Sequence, residues 1–313
     1  MITTLTPNPS FDRTLLVDQL ERGEVIRASQ VRVECSGKGV NVARALSRNG
    51  HSARAVIPAN ADDAEAFVAS LAAEGTGART VPIRGTIRAC FTLVEPDGTT
   101  TQINEPGPEV SASEAEDLVS AAVAAAADSD WLIASGSLPP GAPTDLYARL
   151  ATALPDADRK LVVDTSGAAL DALIGTPCAM VKPNLAELAG VIGRDLGTLS
   201  DVIDAADKLR RGGWRSVLVS MGRRGAVLLA EDVCYGMAPT IEVRNTVGAG
   251  DALLAGFLSA GGRGDVALAE GLAWARAAVQ SADTLAQAVT DGDRRAVQVT
   301  ADPAQDWRAG ALA

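Results

Sequence analysis

The run Asn245-Thr246-Val247-Gly248-Ala249-Gly250-Asp251 has little side-chain bulk, so a ligand can approach its backbone closely. Directly after it, Leu253, Leu254, Phe257 and Leu258 recur on one face with the period of a helix. A bare loop feeding a helix aims several N–H groups and the positive end of the dipole at one point. That is an anion site, suited to a phosphate whose charge grows during transfer. Asp251 stands where a carboxylate would repel a resting phosphate. Two readings stay open: a base that takes the proton of an attacking hydroxyl, or a side chain that only caps the helix. As a base at a helix N-terminus it is expected to hold its charge easily and so to be a weak one.

Three more segments could do related chemistry. Ser36-Gly37-Lys38-Gly39-Val40-Asn41-Val42-Ala43 opens a helix through Leu46. It fails the dinucleotide fingerprint at Val42 and the P-loop at Gly39, where Ser or Thr would have to follow the lysine. A tight glycine turn carrying Lys38 and Asn41 remains, either a cation and amide for a phosphorylated, hydroxyl-rich ligand or a helix start with a solvated lysine. In Val181-Lys182-Pro183-Asn184-Leu185-Ala186-Glu187, Asn184 and Glu187 share a helix face and could hold water around Mg²⁺, or simply form a capping box. Ser220-Met221-Gly222-Arg223-Arg224-Gly225-Ala226 links two strands and either covers a nucleotide phosphate or is a hairpin with two exposed arginines. Arg88, just before a strand, is either a bidentate phosphate grip or a solvated strand-edge cation.

The elements that position these residues fall into two grammars. Ile2 to Leu5 is a short strand ended by a turn-rich loop, Thr6-Pro7-Asn8-Pro9-Ser10, with Asp12 just past it. Residues 14–18 and 25–35, then Cys90 to Glu95 and Thr99 to Asn104, read as strands with one wet face. Four such strands predict a small sheet outside the main core, a lid or a dimer surface. From residue 111 the pattern turns to apolar strands at Trp131, Leu161, Ala179 and Ser216, alternating with helices near 144–153, 184–192 and 199–212. Ser113 and Glu116 have the spacing of a capping box for the alanine-rich helix. Strand ends carry Ser135-Gly136-Ser137, Asp164-Thr165-Ser166, Lys182-Pro183-Asn184 and Ser220-Met221-Gly222, loops expected on one edge of a mostly parallel sheet. The tail from about residue 300 is polar and expected to be loosely held.

Composition removes whole classes of function. His51 is the only histidine, which disfavours Ser-His-Asp, Cys-His and histidine-metal chemistry. Cys35, Cys90, Cys178 and Cys234 are widely spaced and read as buried free thiols of a reducing compartment. A net charge of −11 argues against nucleic acid or a membrane surface as partner. With no basic, apolar leader and no run long enough to span a bilayer, the expected address is the cytoplasm.

Taken together and in this order, the segments resemble the ribokinase-like (PfkB) carbohydrate kinase family over nearly the whole chain. The resemblance rests on Gly37 to Ala43, Lys182-Pro183-Asn184-x-x-Glu187, and Asn245 to Asp251. Further details point to the branch of 1-phosphofructokinase and tagatose-6-phosphate kinase: Thr6 to Asp12, Gly-Lys-Gly at 37–39, Ile103 to Pro108, and Ser135 to Gly141. The resemblance implies one α/β domain over 1–313, three-layered and ribokinase-like, with a mostly parallel central sheet. Its β-sheet lid would span about 11–36 and 86–107 and could pair two subunits. It implies Asp251 as catalytic base, with Gly248, Ala249 and Gly250 around an anion hole. Asp12 and Asn41 would hold sugar hydroxyls and Lys38 and Arg88 the phosphate already on the sugar, with Gly37, Gly39 and Asn104 also binding the substrate. Lys182, Ser220, Gly222, Gly225 and Thr246 would hold ATP, and Asn184 and Glu187 the Mg²⁺ shell. The implied reaction is ATP-dependent phosphorylation of a ketohexose monophosphate, first fructose 1-phosphate, with fructose 6-phosphate or tagatose 6-phosphate as rivals. Outside that class stands a catalytically idle sugar-phosphate sensor. One departure is Ile57-Pro58-Ala59-Asn60-Ala61-Asp62-Asp63-Ala64, where the family's Gly-x-x-Gly-x-Asp is missing and Asp62 or Asp63 is expected to cap the helix.

Overall fold

Segments of four to seven residues form the strands, mostly aliphatic in the middle of the large sheet and alternating polar and apolar in the lid, with helices between them. The computed structural model describes residues 1–239, 243, 245–281, 288–301 and 303. In chain order the strands are β1 (Ile2–Leu5), β2 (Ser10–Leu16), β3 (Gln30–Ser36), β4 (Ala53–Ala59), β5 (Gly77–Pro82), β6 (Arg88–Val94) and β7 (Thr100–Asn104). They continue as β8 (Trp131–Ser135), β9 (Leu161–Asp164), β10 (Cys178–Val181), β11 (Trp214–Ser220), β12 (Ala226–Leu229), β13 (Val233–Met237) and β14 (Gln298–Ala301). The helices are α1 (Lys38–Arg48), α2 (Ala61–Ala73), α3 (Ala112–Ala125), α4 (Leu146–Ala153), α5 (Ala157–Lys160) and α6 (Ala168–Asp171). After them come α7 (Leu185–Ile192), α8 (Leu199–Arg210), α9 (Ala249–Ser259), α10 (Gly264–Gln280) and α11 (Asp291–Ala296).

The large sheet runs β14-β13-β12-β11-β10-β9-β8-β1-β4-β5. It is parallel from β11 to β5, and β12, β13 and β14 extend it antiparallel at one end. Strand alternation feeds two cores. Leu132, Ala134, Leu161 and Val163 pack with α3, α4 and α8, while Ile133 and Val162 pack with α1, α9 and α10. The chain leaves β1 toward β4 on one side and returns to β8 on the other. The crevice above the carboxyl ends of β1 and β8 is therefore the topological switch point, where open sheets place ligands.

The lid is the sheet β3-β2-β6-β7. Its register lines up Glu34, Asp12, Cys90 and Asn104 on one face, and Val33, Arg13, Phe91 and Ile103 on the other. Phe11 reaches Phe67 of α2 with ring centroids 5.5 Å apart, which roots the sheet on the core.

Several expectations shift. The first lid hairpin is not stranded at 25–29: Gln30 pairs with Leu16, so residues 17–29 are the connection and Val25 lies open to solvent. Ser111 and Glu114, not Ser113 and Glu116, make the capping box of α3. Buried Val110 precedes Ser111 and buried Ala115 lies at the fourth helical position, so the earlier of the two overlapping boxes carries the apolar staple. Asn60 caps α2, while the Asp63 carboxylate accepts from the Ile87 backbone N–H at 2.7 Å and ties α2 to the lid strand. Of the tail, β14 joins the sheet edge and the rest lies outside the described residues, apart from Pro303.

Candidate active site

Gly248 starts α9 in the left-handed region, φ 80°, and no side chain caps the helix. Asp251 therefore does not act as a cap. Among the described residues the N–H groups of Gly248, Gly250 and Asp251 have no acceptor, while that of Ala249 reaches Thr246 O at a long 3.4 Å. Such donors at a helix start can receive an anion, and the N–H of Gly250 is freer to do so than that of Ala249.

The Asp251 carboxylate is buried and accepts a hydrogen bond from Asn41 Nδ2 at 3.0 Å. Asn41 Oδ1 in turn accepts from Ser36 Oγ at 3.2 Å, so this amide orients the carboxylate. Burial first, and then the charge of Asp164, push the Asp251 pKa up to about 6 against the pull of Lys38 and Asn41. This reverses the expected weak base. Desolvation and a like charge outweigh the helix dipole, leaving a carboxylate poised to take a proton near neutral pH.

Asp164, in sequence one polar strand end among several, sits at the centre. It is fully buried, with Lys38 Nζ 2.8 Å from Oδ1 and Lys182 Nζ 3.0 Å from Oδ2. Burial alone would raise its pKa, but Lys182 and then Lys38 hold it below the ordinary carboxylate range. For Lys38 burial works the other way, and Asp164, Asp251 and Glu187 overrule it to keep the ammonium charged. Neighbouring strands clamp Asp164: Gly136 N–H donates to its carbonyl and Lys182 N–H to that of Val163, both at 2.9 Å. An apolar strand that ends on an acid, Leu-Val-Val-Asp, was the available signal.

Gly39 is required by contact. A Cβ there would come 2.5 Å from Thr6 Oγ1 and 3.0 Å from the Leu5 carbonyl, so α1 rests directly on the end of β1. On the lid, Ser10 Oγ–H donates to Asp12 at 2.6 Å. Arg88 donates to the carbonyls of Asn8 and Glu105 at 3.2 and 3.1 Å, and among the described residues its buried Nε has no partner. Asn104 is exposed at the end of β7. Asp12, Arg88 and Asn104 lie on the lid sheet, and no bond ties them to Asp251 among the described residues. Asn8, another residue not singled out from sequence, donates to Pro106 O and Ser137 Oγ and knits the loop after β1 to lid and sheet.

Beyond β10, Asn184 and Glu187 form a complete capping box on α7, with bonds of 2.9 and 2.8 Å. Ser220 bridges Asn184, and Gly222 and Gly225 bracket a hairpin turn closed by the Met221 N–H to Gly225 O bond of 2.9 Å. Thr246 is exposed at the loop before Gly248. No cluster of three or more His, Cys, Asp or Glu among the described residues could enclose a metal. The side chains present fit an ion that brings its own ligands, as Mg²⁺ does with phosphate oxygens and water. Among the described residues no helix is long and apolar enough to cross a membrane, and all four cysteines are free thiols.

The model of the pfkB family of carbohydrate kinases matches residues 8–291. A 1-phosphofructokinase of Haloferax volcanii is 36% identical over 83% of this chain and 84% of its own. An ATP-dependent 6-phosphofructokinase isozyme 2 of Mycobacterium tuberculosis is 34% identical over 81% and 76%. Among solved structures, phosphofructokinase-2 of Escherichia coli superposes with a TM-score of 0.85 at 30% identity, covering 94% and 96%. A ribokinase of Arabidopsis thaliana, 21% identical with a TM-score of 0.70 over 90% and 93%, shares the fold alone. Fold, orphan amides, carboxylate and lysines thus meet in one lineage: the chain belongs to the pfkB family of carbohydrate kinases, as a sugar kinase of the 1-phosphofructokinase type.

Proposed function

We propose that this kinase uses ATP to phosphorylate fructose 1-phosphate on its free primary hydroxyl, giving the 1,6-bisphosphate. The observation that carries the reading is Asp251, buried beside orphan helix amides and oriented by Asn41, with two lysines paired on Asp164 nearby. The acceptor hydroxyl lies against Asp251, which takes its proton as the oxygen attacks the γ-phosphorus. The bond from that phosphorus to the bridging oxygen of ADP breaks in line. The Gly250 amide and the start of α9 receive the developing charge, and Lys182 holds the donor phosphates. Mg²⁺ bound with ATP would neutralise phosphate charge, with Asn184 and Glu187 meeting its water shell. Ser220, Gly222, Gly225 and Thr246 cover the nucleotide. Asp12 and Asn104 take sugar hydroxyls on the lid, and Arg88, with its free Nε, takes the phosphate the sugar already carries.

The exposed apolar row of the lid, with Val33 and Ile103 more than half open, favours a dimer that packs two lids together. The E. coli phosphofructokinase-2 has a tetrameric inhibited form. The net charge of −11 disfavours a nucleic-acid partner.

The test is ADP release from Mg-ATP with fructose 1-phosphate, fructose 6-phosphate, tagatose 6-phosphate and fructose, ranked by kcat/KM. A tenfold or greater preference for fructose 1-phosphate supports the reading. The 6-phosphofructokinase relative at 34% identity makes fructose 6-phosphate the second candidate, and a preference for it keeps the mechanism while changing the acceptor. Binding of a sugar phosphate without turnover of any acceptor would make the protein a sensor.

A further inference from the structure

Lys38 leads the glycine turn next to the acceptor-binding segments, so its expected partner is the phosphate the sugar carries. Its side chain goes elsewhere. The ammonium lies on Asp164, whose other oxygen holds Lys182, the lysine beside the Gly250 backbone. Asp164 is wholly buried and Lys182 nearly so, whereas Lys38 keeps 39% of its side chain open. The Lys38 ammonium has three donors and spends one on Asp164, so among the described residues donors remain for an incoming oxygen. Arg88, by contrast, is fixed by the Asn8 and Glu105 carbonyls beside the lid, and among the described residues its Nε has no partner. The two cations that sequence assigns to one phosphate therefore belong to different places.

We propose that Lys38 is a catalytic residue of the transfer centre, touching the phosphoryl group in flight, and that Asp164 is the positioning residue that holds Lys38 and Lys182 as a pair. Lys182 meets the donor side of the moving group and Lys38 its acceptor side, while the phosphate carried by the sugar is left to Arg88. No proton moves to or from either lysine; both lower the charge of the loose transition state. This deepens the proposed reaction and rests on it.

The experiment crosses variants with substrates on the full-length enzyme. Lys38→Met and Arg88→Met are each assayed with the phosphorylated sugar that the wild type prefers and with its unphosphorylated parent. A cation on the carried phosphate loses its value when that phosphate is absent; a cation on the moving group does not. Lys38→Met is expected to lower kcat by roughly 10²-fold with both acceptors, the size typical of losing one electrostatic contact to a transition state, with KM for sugar little changed. Arg88→Met is expected to raise KM for the sugar phosphate far more than it changes either constant for the parent sugar. Lys38→Arg should recover part of the loss. Asp164→Asn should reduce the penalty of Lys38→Met when the two are combined, a coupling that general loss of structure would not produce. A Lys38→Met penalty confined to the phosphorylated acceptor overturns the assignment.

If the wild type prefers a 6-phosphate, the same cross is run with it and decides in the same way. If it turns over no acceptor, the proposed reaction fails separately, and titration with ADP and aluminium fluoride, a mimic of the moving group, decides. Lys38→Met should weaken binding of the mimic tenfold or more while leaving sugar-phosphate binding intact. Unchanged binding of the mimic overturns the inference.

Discussion

With its carboxylate buried and Asp164 close by, Asp251 ionises at a cost to the folded state. Its pKa is raised from 3.8 to about 6, so above pH 6 it is charged in both folded and unfolded chains and lowers stability. Below 3.8 it is neutral in both and has no effect. Asp251→Asn keeps the shape and can still accept from Asn41, so it should stabilise the protein at pH 7.5 by about 1–3 kcal/mol. In urea unfolding this gain should vanish as the pH falls below about 4, and the same variant should lose roughly 10²–10⁴ in kcat with binding retained. Equal activity of the Asp251→Asn variant and the wild type would remove the base. If Asp251 is the base, as proposed, the same pKa sets an acid limb: kcat/KM should fall about tenfold per pH unit below about 6, as Asp251 is protonated. Free fructose is the acceptor to use, because it lacks a phosphate that titrates near pH 6 itself.

At the level of elements, the glycines on α1 and α7 make opposite predictions. Gly39→Ala forces α1 away from β1, because the Leu5 carbonyl cannot move aside without breaking the sheet. A loss of about 1–3 kcal/mol is expected, with a larger fall in kcat/KM as Lys38 and Asn41 shift together. Gly190 of α7 faces open space, so Gly190→Ala should add about 0.5–1 kcal/mol without touching activity. The capping boxes separate structure from chemistry in a similar way. Asn184 on α7 and Thr198 on α8 cap their helices alike, and alanine at either should cost about 1 kcal/mol in thermal or urea unfolding. Asn184→Ala alone should also raise the Mg²⁺ concentration needed for half-maximal rate; a parallel shift in Thr198→Ala would reduce Asn184 to a cap. These helix starts were legible from sequence because a cap acts within a few residues. Where two boxes overlapped, at Ser111 and Ser113, the choice depended on Val110 being buried.

Across the whole molecule, strand alternation gives the lid two unlike faces. One carries Asp12 and Asn104; the other leaves Val33, Phe91 and Ile103 in a row around Arg13. Val33→Asp or Ile103→Asp should turn a dimer into monomers in light scattering, and should raise KM for the sugar if the partner steadies the lid. A monomeric wild type would dismiss this interface. The alternation itself was legible between Cys90 and Asn104, whereas the longer loop at 17–29 was not. Val25 and Ile26 have the composition of a strand, but among the described residues no strand lies beside them to complete a ladder.

The sequence by itself determined what is local: the bare loop before Asp251, the glycine turn at Lys38, the capped start of α7, and the change from wet-faced to buried strands. Each depends on residues a few positions apart, where backbone sterics and periodicity act directly. Only the tertiary structure decided what lies across long separations. Asn41 and Asp251 meet from 210 residues apart, and Lys38 and Asp164 from 126. The direction in which the Asp251 pKa moves comes from the same source. Its helix N-terminus argued for an easily held charge, but closure of the core over it and the approach of Asp164 argued more strongly the other way. Burial and long-range charge exist only once the chain is folded, and they outweigh the local dipole.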